Sequence, residues 1–334
     1  MLEGTRVIDV HHHLLPPAVF DKLKAAAGGA RRLVNDRISL TLSDDLHRVD
    51  SHLQTMDEGG VDAAILTYSG VSILGLDTCQ LLNDRLAEVQ RDNPGRLYGA
   101  AHVPLQEPDA APWELDRGVR ELGLVAVALP TSAPGVTLDM PALRPLWRKV
   151  AELDRPVILH PALLPEGAST DYNLERACAR PFDTTIAAVR LAYGVLPEFP
   201  GLTFVLPHLG GTSVFLRGRL AMFFEPTTRD GPPTKRELAR TRCDQRALGL
   251  DTLFEAAWSR FYYDTAGTGG WSPAVQMTAE VVTPARMLFG SDYPLESYSG
   301  ATVRELVEMI GGLDLAAESR QAIAGRNAAR LFRL

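Results

Sequence analysis

The chain has 334 residues, 46% hydrophobic and 22% charged, a composition that fits an ordinary globular core. Its formal charge of -7, with no basic run, excludes an electrostatic footprint for nucleic acid or anionic lipid, and no apolar run reaches the length of a membrane span. Three widely spaced cysteines (Cys79, Cys178, Cys243) suggest neither a disulfide framework nor a thiolate metal site, so a reducing cytoplasm is expected.

The opening residues, Met1 to Val10, reach charged and histidine side chains before a signal-peptide core could form, so no processing is expected. Short apolar runs bounded by turn residues then predict eight strands. They are Val7 to Val10, Ala63 to Tyr68, Leu97 to Ala101, Leu124 to Leu129, Pro156 to Leu159, Leu202 to Leu206, Phe261 to Asp264 and Met287 to Phe289. Helical periodicity fills most of the gaps, as in Val49, Leu53, Met56 and Val61 or in Cys79, Leu82, Leu86 and Val89.

Runs buried on both faces and alternating with helices predict a parallel sheet wrapped by helices, and eight such units predict a closed (β/α)8 TIM barrel, an α/β fold in a single domain over residues 1–334. Two stretches depart from the alternation. Lys24 to Ser43, with Gly28, Gly29, Arg31, Arg32 and Arg37, is irregular and follows the first strand, where barrel loops cover the catalytic face. Arg229 to Leu250, polar and rich in arginine and proline, is expected to be an insertion before the seventh strand and a contact between subunits.

The polar residues that matter fall at the carboxyl ends of predicted strands. His11 and His13 end the first, His160 the fifth, His208 the sixth and Asp292 the eighth, and on a barrel those ends converge on one face. The strand period of two places His11 and His13 on one side with Asp9 in step beneath them, and turns His12 away. Imidazole nitrogens with one carboxylate suit zinc, manganese or iron, and three nitrogens with one oxygen leave room for water or substrate.

These residues, in Asp9-Val10-His11-His12-His13, Leu159-His160-Pro161, Pro207-His208-Leu209-Gly210-Gly211, Asp264-Thr265-Ala266-Gly267 and Gly290-Ser291-Asp292-Tyr293-Pro294, resemble the amidohydrolase superfamily. Together with Asn327-Ala328-Ala329-Arg330-Leu331-Phe332 they resemble its branch that contains aminocarboxymuconate-semialdehyde decarboxylase. The resemblance implies one divalent metal, Zn2+ first and Mn2+ second, on His11, His13, His160 and Asp292, with His208 and Asp292 as catalysts. Two-metal members bridge their ions with a lysine at the end of the fourth strand, and the predicted strand Leu124 to Leu129 has none, which favours a single ion.

The branch implies non-oxidative decarboxylation of a small aromatic or enoic acid of hydroxybenzoate type. The same five residues could instead activate water for hydrolysis of an amide, ester or lactone. An anionic carboxylic acid calls for a guanidinium near the metal. Arg31, Arg32, Arg37 and Arg48 follow the first strand, none aligning with a family position, while Arg219, near Arg217, has the family's spacing from His208. Trp271, Tyr293 and His102 are further substrate-contact candidates, Phe289 reads as packing, and His47 and His52 as structural or solvated. Asp264 is expected to orient a site residue or to cap the following turn. Similar enzymes form dimers or larger homo-oligomers, and the same is expected here.

Overall fold

The computed structural model describes residues 2, 4–30, 32–34, 39–161, 169–223 and 250–334. Eight strands form one sheet: β1 (Ile8–His13), β2 (Ala63–Thr67), β3 (Leu97–His102), β4 (Ala126–Pro130), β5 (Val157–His160), β6 (Phe204–Leu206), β7 (Phe261–Asp264) and β8 (Met287–Leu288). Each pairs in parallel with its sequence neighbour, in the order β1 to β8. The sheet closes on itself where Val10 N donates to Phe289 O at 2.9 Å and His13 N to Tyr293 O at 2.8 Å. This is the expected TIM barrel.

Helices cover the outside because the strands bury both faces. The longest among the described residues is α1 (Leu76–Asp92) between β2 and β3, and the one that bears on the site is α2 (Arg180–Gly194), after β5. Inside the barrel, small and β-branched side chains meet across the axis, among them Val10, Ile65, Ala100, Ala128, Ile158 and Val205. Their larger neighbours point outward against the helices, as do Leu66, Leu129, Leu159 and Leu206.

The C-terminal motif finds its role at the amino ends of the strands. Ala328 and Phe332, on the helix α3 (Asn327–Phe332), join the interior cluster with Ile8 and Ala63. Asn327 ties this helix to β8 by donating from Nδ2 to Pro284 O at 2.8 Å and Met287 O at 2.9 Å. Gly325 lies so close to the start of β1 that a Cβ there would sit 1.9 Å from Arg6 O. That motif is therefore a structural plug, on the face opposite the histidines.

Strand ends moved by only a few residues from the sequence expectation, except at β1, which runs on through all three histidines. The predicted insertion Arg229 to Leu250 lies outside the described residues but for Leu250, which begins a helix. Arg31 and Arg37 also lie outside them, as does the side chain of Arg32. No helix among the described residues is long and apolar enough to cross a membrane.

Candidate active site

Simple alternation along β1 would put His12, in step with Ile8 and Val10, inside the barrel. The pairing with β2 shifts register between Asp9 and His12, and this irregularity brings His11 and His13 to the axis side instead. There they meet His160 and Asp292, and one ligand atom from each of the four lies within 4.8 Å of the others.

Two of the imidazoles are aimed from behind. His11 Nδ1 bonds Asp264 Oδ2 at 2.8 Å, and His13 Nδ1 lies 3.2 Å from Thr67 O, a carbonyl that can only accept. Both rings thus present Nε2 to the centre, the arrangement in which an outer partner sets the tautomer of a metal ligand. The Nε2 atoms of His11, His13, His160 and His208 and Oδ1 of Asp292 are buried with no hydrogen-bond partner among the described residues. So many orphaned polar atoms around one point would be costly in a finished core, and one divalent cation would satisfy them together.

The electrostatics agree. Burial works against charge on His11, yet the carboxylates of Asp264 and Asp292 outweigh it and raise its pKa to about 9. Burial lowers His13, and it lowers His160 far below the ordinary imidazole value with help from His13 and His11. Asp292 is buried too, but His11, His13 and His208 hold its carboxyl well below the usual range. The centre favours one positive charge shared among neutral imidazoles and one carboxylate.

His208 stands beside this cluster, with Nε2 3.5 Å from Asp292 Oδ2. Both residues have left-handed backbones, φ 54° at His208 and 56° at Asp292. Such strain costs about 1–3 kcal/mol for each residue and persists only when the surroundings enforce it. Asp264 Oδ1 accepts from His208 N at 2.9 Å, and His11 O from Asp292 N at 2.9 Å. Gly267, at φ +67°, leaves the space His208 occupies, since a Cβ there would lie 2.7 Å from the ring. Asp264 thus both orients His11 and caps the next turn, where Ala266 N donates to it at 3.2 Å.

Asp9 corrects the sequence expectation. It makes no hydrogen bond to the ring of His11 or His13, because it alternates with the inward Ile8 and Val10 and lies on the outer side of β1, while the register shift carries the two histidines inward. There it accepts from His11 N and Ser291 N, each at 3.0 Å, and from Ser291 Oγ at 2.5 Å, tying the two segments that carry the cluster. Its Oδ2 also meets His12 Nδ1 at 2.9 Å, while His12 Nε2 reaches His52 Nδ1 at 2.8 Å. His52 Nε2 faces Asp45 O at 2.8 Å and must donate to it, so its Nδ1 accepts from His12. His12 and His52 are thus structural, and His47 packs on Phe20.

The four substrate-contact candidates fall elsewhere. His102 Nε2 accepts from Tyr68 N at 2.8 Å, and burial lowers its pKa to about 3, so it acts as a fixed acceptor in the wall of the barrel. Tyr293 is buried behind the cluster against His12 and His52. Trp271 is 66% exposed, too open to stack on an enclosed substrate. Arg219 is exposed with its guanidinium over Phe223, and Arg217 pairs with Glu255 at 2.7 Å. Arg48 is exposed near Asp45, and Phe289 is packing.

A pocket opens beside the cluster, with His13, His160 and Asp292 in its floor. Tyr68 and Ser69, after β2, and Arg176 and Arg180, after β5, line its wall. None of these four was singled out from the sequence. Tyr68 had the same signal as His160, a polar group at the carboxyl end of a strand, and the two arginines lie one helical turn apart in a loop-side segment of the catalytic face.

Fold and site together define a barrel whose carboxyl face carries a three-imidazole, one-carboxylate cluster fit for a single divalent cation. The chain belongs to the amidohydrolase family, whose model matches residues 8–334. It is 30% identical over 313 residues to a gamma-resorcylate decarboxylase of Rhodococcus jostii, covering 85% of this chain and 87% of that one. Among solved structures it resembles 5-carboxyvanillate decarboxylase of Sphingomonas paucimobilis, with TM-score 0.78 and 22% identity over 99% of this chain and 100% of that one. It also resembles the dihydroxybenzoic acid decarboxylase of Polaromonas sp. JS666 with bound manganese and 2-nitroresorcinol, with TM-score 0.74 and 22% identity over 99% and 97% of the two chains.

Proposed function

We propose that this protein is a non-oxidative decarboxylase of a small hydroxybenzoate-type carboxylic acid, working with one divalent metal ion on His11, His13, His160 and Asp292. The observation that carries this reading is the placement of Arg176 and Arg180 in the same pocket wall as His13, His160 and Asp292. A cationic wall beside the cluster suits an anionic acid, and the 30% identical relative acts on gamma-resorcylate.

When bound, the ion supplies a Lewis acid and a template for substrate oxygens. Zinc and manganese both suit the donor set, and the manganese of the Polaromonas neighbour supports the second. Asp292 and His208 handle the proton. Oδ2 of Asp292 passes it to the ring carbon that bears the carboxylate, the carbon–carbon bond breaks, its electron pair returns to the ring, and carbon dioxide leaves. His208, 3.5 Å from that oxygen and 14% exposed, restores the proton from solvent.

A cytoplasmic location is supported by the free thiols of Cys79 and Cys178. A homo-oligomer is supported by the exposed rings of Phe182, Phe215 and Phe223, which assembly would cover. The decisive experiment loads the protein with Mn2+ and offers a panel of hydroxybenzoates in deuterated water. Carbon dioxide release with one deuterium at the vacated ring position is expected; turnover of esters or lactones with no acid decarboxylated would reverse the assignment.

A further inference from the structure

The pocket wall contains polar groups that the proton chemistry does not use. Tyr68 is 4% exposed and Ser69 1%, and the hydroxyl of each is buried without a hydrogen-bond partner among the described residues. Both residues line the pocket whose floor holds His13, His160 and Asp292. Leaving such hydroxyls unmatched costs about 1–3 kcal/mol each, a cost that a ligand oxygen in the pocket would remove.

Arg180 lines the same wall from the first residue of α2. Arg176, one turn earlier, lies 3.6 Å from Glu296. From the geometry we infer that Arg180, Tyr68 and Ser69 form a carboxylate clamp, distinct from the metal ligands, that selects an acid over its ester or its decarboxylated product. A guanidinium offers two parallel donors to a carboxylate, and the two hydroxyls supply the remaining donors.

The protonation states suit this role. The Tyr68 phenol is protonated at neutral pH, which keeps its hydrogen available for donation. Burial, followed by the neighbouring Arg176, lowers the pKa of Arg180, against the pull of Asp292, Glu296 and Tyr68. A bound anion would relieve that cost. The clamp rests on the decarboxylase reading for its substrate, and binding measurements separate the two.

The test uses Mn2+-loaded native protein with Arg180→Lys, Arg180→Met and Tyr68→Phe variants, and follows by calorimetry the binding of 2,6-dihydroxybenzoate and of resorcinol, the same ring without its carboxylate. A charge-assisted pair predicts that Arg180→Met weakens binding of the acid about 30-fold and leaves resorcinol within about twofold. Arg180→Lys, which keeps the charge but loses the fork, should fall between native and Met, and Tyr68→Phe should cost the acid about fivefold. In turnover the loss should fall on KM, with kcat within about threefold, as expected for binding shared by ground and transition states.

Equal weakening of acid and resorcinol would reduce the pair to packing and overturn the clamp. So would unchanged acid binding in Arg180→Met, or native protein that binds the acid no better than resorcinol. Acid binding that depends on Arg180 without carbon dioxide release would keep the clamp and remove the decarboxylase reading. Carbon dioxide release with a KM indifferent to both residues would do the reverse.

Discussion

At the carboxyl ends of the strands, four imidazole nitrogens and a carboxylate oxygen are buried with no hydrogen-bond partner among the described residues, and His208 and Asp292 hold left-handed backbones. At the amino ends of the same strands, Asn327 satisfies two carbonyls, and Phe332 fills the interior at 1% exposure. One barrel thus places the unmet polar atoms of its cluster at one mouth and a packed, hydrogen-bonded helix at the other. The difference shows where stability is spent and where it is made, since strained and orphaned groups persist only on a scaffold held elsewhere.

The contrast can be broken first at its centre. His160→Ala should abolish stoichiometric metal content, measured by elemental analysis, and reduce turnover to background, because one imidazole of three is lost. His208→Ala should keep the metal and lower kcat about 100- to 10,000-fold, the usual range for a proton-transfer group. Equal metal loss in both variants would make His208 a ligand and redraw the site.

Asp264→Asn tests the support behind the cluster, since this carboxylate fixes both His11 and His208. Metal affinity, measured by chelator competition, should fall about 10- to 100-fold. The proton on His11 sets a milder dependence. Its pKa rises from 6.5 unfolded to about 9 folded, so its contribution to metal-free stability is complete below pH 6.5 and lost as pH climbs through about 9. The melting temperature of metal-free protein should therefore fall over that window while metal affinity climbs, because binding must displace the proton. A flat profile would mean that His11 is neutral in the empty site.

The smallest effect on the site should come from the opposite mouth. Phe332→Ala removes a fully buried ring and should cost about 3–5 kcal/mol in denaturant unfolding. KM and metal stoichiometry of the folded fraction should stay unchanged. A large change in either would show that the two mouths are coupled.

Much of this was legible in the chain itself. Continuous apolar runs specified the eight strands because a strand buried on both faces must be apolar throughout. His160 and Asp292 could be placed because each directly follows such a run, and strand ends of a barrel share one face. The ligand-bearing strand was harder. The separation of His11 and His13 from His12 emerged from alternation, but the register shift after Asp9 that turns the pair inward did not, and so Asp9 was assigned to the wrong side.

Tertiary structure alone decided the rest. Arg180 and Tyr68 are separated by more than a hundred residues, and nothing local in either marks a shared wall. His102, Tyr293, Trp271 and Arg219 had strand-end or motif positions as good as those of the cluster, yet rotation, depth and exposure place them outside the described pocket wall. Local pattern determines which segments are strands and which polar residues stand at their ends. Which of those residues meet depends on closure of the barrel and the direction of each side chain, and these are set by packing between distant segments.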